Sequence, residues 1–177
     1  MMKNANKDDN NWDVFLYEVY MYFYMYVRVY NSKLNTNGPR NRAINNSYVE
    51  SLLLHTRILT QIFLFKRKGQ QDDIKLNQLL DPKEYSDTLN SLINKLDVLY
   101  HNKTKNSPKV QIDKLLVHAT HLRTTHHNYD KLISILHPTL LEIINEIQLF
   151  TKDKTIKKHM IYYLKNMKSY ITTASTH

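Results

Sequence analysis

The chain has no cysteine, only two glycines (Gly38 and Gly69) and four prolines in 177 residues. The missing cysteines exclude disulfides and thiolate metal sites, although they assign no compartment. A barrel or sandwich needs many tight turns, and two glycines supply few of them. A helical bundle needs few. The sequence therefore reads as all-α, a single-domain bundle of five to six helices with length enough for one sizeable core. Gly-rich phosphate loops, G-x-S-x-G elbows and paired catalytic carboxylates are absent too. So are a helix-turn-helix signature and an aromatic–basic nucleic-acid motif. The nearest thing to a membrane span, Val14 to Tyr30, is short and carries Glu18 and Arg28. Its tyrosines are too polar for lipid, so it reads as a soluble core helix and no membrane partner is expected. The polar start of the chain lacks the apolar stretch of a secretory signal, which makes the cytoplasm the expected location.

What is present in excess is positive charge. Twenty-five Lys and Arg against sixteen Asp and Glu give a formal net charge of +9, which favours anionic partners and nucleic acid above all. Lysine outnumbers arginine, however, and asparagine, isoleucine and tyrosine are abundant. An AT-rich genome writes that composition without selection for binding. Charge alone leaves both readings open.

Apolar spacing divides the chain into a polar tail over 1–11, a helical domain over 12–171 and a frayed end over 172–177. Helix one is predicted over 12–33. Ser47 and Glu50 form an S-x-x-E capping box that predicts the start of helix two, with its end near Gly69. Asp81-Pro82 predicts the start of helix three, Pro108 that of helix four, and His137-Pro138 that of helix five. Helix six is expected over 153–170. Helices two, four and five should form the packed centre.

Two helices carry unexpected polar groups. His55 and Arg57 lie among Leu52, Leu53, Ile58, Leu59, Ile62 and Phe63, and burying such groups costs free energy unless they find partners. On helix four, Lys114, His118 and His121 are spaced i, i+4, i+7 and share one face. Arg123 lies about 140° further round from His118 and reaches that face only from its rim. If the two helices face each other, these residues build a basic, imidazole-containing pocket suited to phosphate. The plainer alternative makes His118 a hydrogen-bonded core histidine and His121 a half-exposed one.

The same segments carry a resemblance. Glu50-Ser-Leu-Leu-Leu-His-Thr-Arg-Ile-Leu59 resembles the E-S-x-L-x-H-x-R-x-L helix of a family of uncharacterised prokaryotic helical proteins. Asp113-Lys-Leu-Leu-Val-His-Ala-Thr-His-Leu-Arg123 is similar to that family's N-K-x-x-x-H-x-T-x-x-R signature, with Asp113 in place of asparagine. The likeness covers roughly residues 47–147. The second signature in turn resembles the degenerate edge of the HEPN superfamily, helical bundles with an R-x(4–6)-H motif. Many of these are RNases of toxin–antitoxin and phage-defence systems. His118 stands as the HEPN histidine, while Val110, Gln111, Ile112 and Asp113 occupy the region of the expected arginine. The resemblance implies a HEPN-like fold, RNA as partner, and a site often formed in a homodimer.

Three functions follow as expectations. The first is a HEPN-like protein that binds or cleaves RNA without metal or cofactor. His118 and His55 would serve as acid and base, Arg57 as the cation for the phosphorane, and Lys114, His121 and Arg123 as phosphate-binding groups. The second is a non-enzymatic basic helical interaction module. The third is a DinB-like bundle with His55, His118 and His121 as metal ligands, disfavoured because Arg57 and Lys114 would repel a cation.

Overall fold

Apolar residues recur three and four apart along most of this chain, and each such stretch has become a helix that buries one face. The computed structural model describes residues 5–32, 39–64, 74–102, 106–117 and 129–174. They form six α-helices: α1 (Ala5–Ser32), α2 (Pro39–Phe63), α3 (Asp87–Tyr100), α4 (Pro108–Val117), α5 (Tyr129–Phe150) and α6 (Lys154–Ala174). Two short 3-10 turns, Leu76–Gln78 and Pro82–Glu84, lead into α3. No strand occurs among the described residues. None of the described helices is long and apolar enough to cross a membrane.

The centre of the bundle differs from the sequence expectation. α1 lies along both α2 and α6, α3 lies along α5, and α4 rests on α2. Phe15, Leu16, Val19, Tyr22, Phe23 and Val29 bury one face of α1. They meet Leu52, Leu53, Leu59, Ile62 and Phe63 of α2, with Phe15 and Phe63 edge to face at 6.1 Å. Each buried side chain of this size is worth about 1.5–3 kcal/mol of transfer free energy, so α1 is central rather than peripheral. Thr56 and Thr60, also buried in α2, satisfy their hydroxyls by donating to the carbonyls of Leu52 and Thr56, both at 2.7 Å.

Several helix ends also move. α1 begins at Ala5, inside the expected tail. α2 begins at Pro39 rather than Ser47, and the Ser47 hydroxyl donates to the Ile44 carbonyl at 2.7 Å within the helix, so the capping box is not used. Asp81-Pro82 opens a 3-10 turn, and the cap of α3 is Ser86, whose hydroxyl accepts from the Leu89 amide at 2.9 Å. α5 starts at Tyr129 and runs through Pro138, which the sequence places at its start. Pro138 is exposed and removes one main-chain hydrogen bond. Leu132, Ile133 and Leu136 before it and Leu140, Ile143 and Ile144 after it bury on one side, which carries the helix across. Asp153 caps α6, its carboxylate accepting from the amides of Thr155 and Ile156 at 2.7 and 3.0 Å.

Candidate functional site

His55 and Arg57 are two residues apart, so on a helix they point about 200° away from each other. The structure gives them different partners. His55 is buried and faces α1, where its Nδ1 lies 2.7 Å from Glu18 Oε2. The exposed Tyr17 ring stands edge-on to the imidazole at 6.2 Å and shields it from water. A carboxylate and an imidazole meeting inside a core satisfy each other's polar demand. This explains how a greasy helix tolerates His55.

Arg57 turns toward α4. Its Nε lies 3.4 Å from Asp113 Oδ1, and Lys109 Nζ donates to Asp113 Oδ2 at 2.6 Å. Oδ1 is buried and receives no hydrogen bond, so the guanidinium faces it as a charge rather than as an aligned donor. Tyr100, at the end of α3, is close enough to feel both charges. Burial is the main cause that pushes its phenol well above the usual range, with Asp113 adding to the shift and Arg57 opposing it. Three helices thus converge on one carboxylate flanked by two cations. Lys114 is exposed on the next position of α4. His118, His121 and Arg123 lie outside the described residues. The described part therefore separates His55 from Arg57 and joins the two signature helices through Arg57 and Asp113.

A third polar cluster was not anticipated. His137 of α5 is buried between two tyrosines of α1: its ring stacks on Tyr26 with centroids 3.9 Å apart, and Nδ1 lies 2.5 Å from the Tyr22 hydroxyl. A neutral phenol donates to Nδ1, which leaves the ring proton on Nε2, and Nε2 is buried without a partner. Burial pushes the imidazole down to about 4 and the Tyr22 phenol well above its ordinary value. Neither group is poised for proton transfer near neutrality. Among the described residues no three His, Cys, Asp or Glu side chains come together as a metal site.

The positive charge gathers elsewhere. α6 has no acidic residue and carries Lys154, Lys157, Lys158, His159, Lys165 and Lys168. Lys154, Lys158, Tyr162 and Lys165 follow one another at the spacing of a single helix face, and all four are exposed. No ion pair among the described residues holds Lys154, Lys158 or Lys165. The sequence marks this helix as the more basic one without singling out the row; the absence of Asp and Glu from residues 154–174 was the available signal. No family model, curated protein or solved structure matches the chain.

Proposed function

We propose that this protein binds RNA through its phosphates, as a HEPN-like helical module. The observation that carries the reading is the acid-free α6 with its row of exposed lysines, which hold no ion pair among the described residues. Ammonium groups on one helix face attract a polyanion without reading its sequence, and releasing counterions from the nucleic acid supplies much of the affinity. Glu18 and Asp113 already engage His55 and Arg57, which favours binding over chemistry at those two groups. Titration of a labelled RNA in EDTA tests the reading. Binding that weakens steeply with salt and leaves the RNA intact is expected; no binding at low ionic strength overturns it.

Cleavage is the second reading, favoured by the Arg57–Asp113 contact. That contact sets the guanidinium of α2 against α4, which ends one residue before His118 in the sequence. In this reading Arg57 stands in for the missing HEPN arginine and His118 moves the proton. Metal-free cleavage lost in a folded His118→Ala variant would replace the binding-only account.

A further inference from the structure

The outward face of α1 carries a run of aromatic side chains. Tyr17, Tyr20 and Tyr24, spaced three and four apart, are all exposed. Tyr20 stacks on Tyr24 with centroids 6.0 Å apart, and the Arg28 guanidinium lies over the Tyr24 ring at 4.9 Å from its centroid. Across the α1–α6 seam Tyr20 meets Tyr163 at 5.5 Å. Tyr163 in turn touches Tyr162 at 5.9 Å and stacks on His159 at 6.4 Å. The three phenols of Tyr20, Tyr162 and Tyr163 sit close enough that burial and the two neighbours together raise the Tyr163 phenol. The result is a continuous file of rings running from Arg28 on α1 to His159 on α6.

Beside this file runs the lysine row, for Tyr162 belongs to both. Asp13 lies one turn before Tyr17, and Asp153 caps α6 with its carboxylate engaged by the helix amides. A face of tyrosines alone would suit another apolar surface. One bordered by exposed lysines suits a ligand that is flat and apolar in one part and anionic in the next. Single-stranded nucleic acid has this alternation, because its bases stack on aromatic rings while its phosphates seek cations. A duplex offers the phosphates but keeps its bases stacked inside.

From this juxtaposition we infer that the α1–α6 face is a stacking platform for single-stranded RNA, with bases on Tyr20 and Tyr162 and phosphates on Lys154, Lys158 and Lys165. The inference rests on the RNA-binding reading above and names the strand form and the residues that take it. Tyr162 is 61% exposed and Tyr20 43%, so both rings have free surface for a base.

Anisotropy titrations of a labelled single-stranded RNA and of a duplex of equal length test it. Wild-type protein should prefer the single strand. Tyr20→Ala with Tyr162→Ala should weaken single-strand binding roughly ten-fold or more and leave duplex binding unchanged, while the two Phe variants keep the affinity. Circular dichroism checks folding, and Tyr162→Ala alone serves if the double variant unfolds. Equal losses on both RNAs, or no loss in a folded Ala variant, overturn the platform while salt-sensitive binding still stands. An Ala variant that changes the sedimentation of the free protein without changing RNA affinity also overturns it, because the face then joins two copies of this chain. Absence of any RNA binding by wild type at low salt removes the platform and the RNA-binding reading together.

Discussion

Glu18 and His55, 37 residues apart in sequence, meet at 2.7 Å inside the seam between α1 and α2. The pair fixes the register of the two most extensively packed helices, since a slip by one residue would leave a carboxylate and an imidazole buried without partners. Glu18→Ala is expected to destabilise the protein by about 3–5 kcal/mol, the usual effect of removing one member of a buried pair. Replacing both residues by leucine should recover most of that loss. Urea denaturation of the two variants checks it, and equal losses in both would show that volume rather than pairing matters here.

The cluster at His137 should make stability depend on pH. Its imidazole sits at about 4 in the folded protein, against about 6.5 in an unfolded chain. Between these values the unfolded state binds more protons, so stability is complete above about pH 6.5 and falls as the pH drops toward about 4. His137→Phe keeps a ring against Tyr26 but removes the titrating group. Its melting temperature is expected to be lower at neutral pH and to vary less across that window than that of the wild type.

Ser47 and Ser86 offer a contrast. Ser86 caps α3 through the Leu89 amide, and Ser86→Ala should cost about 0.5–2 kcal/mol. Ser47, inside α2, caps nothing, and Ser47→Ala should change stability by less than about 0.5 kcal/mol. Thermal melts of the two variants side by side measure the difference.

These serines also show how far the sequence could be read. The all-α class follows from the scarcity of glycine and from the apolar spacing. Helix α6 lies close to its predicted segment, α4 begins at the predicted Pro108, and α3 occupies only the later part of its own. The capping box at Ser47 has sound local chemistry, but the chain before it extends the helix back to Pro39. His137-Pro138 reads as a helix start until the apolar residues on both sides, buried on one side of α5, carry the helix through the proline. His55 was legible as a polar group needing a partner, yet Glu18 lies on a helix whose pairing no local pattern specifies. The outward tyrosines of α1 were hidden for a similar reason. Their alternation with Phe and Met looks like core, and only the packed bundle shows that Tyr17, Tyr20 and Tyr24 share the outer face.

Arg57 separates binding from cleavage. Its ion pair with Asp113 is about one-third exposed and contributes at most about 1 kcal/mol, so Arg57→Ala should remain folded. The binding account expects unchanged RNA affinity and no change in RNA integrity. If the protein is instead an RNase that uses this guanidinium, cleavage in EDTA should fall by about 10²–10³ in the variant. Single-turnover assays with wild type, Arg57→Ala and His118→Ala distinguish the two.

The most direct measurement concerns α6. The dissociation constant for single-stranded RNA should be followed over a range of salt for wild type and for Lys154→Gln, Lys158→Gln, Lys165→Gln combined. Each phosphate seated on a single strand contributes about 0.7 to the slope of log affinity against log salt, so losing three should lower the slope by about 2. A weaker complex with that smaller slope is the predicted result. A variant that binds RNA as tightly as wild type, with the same slope, would contradict the assignment of RNA binding to this helix.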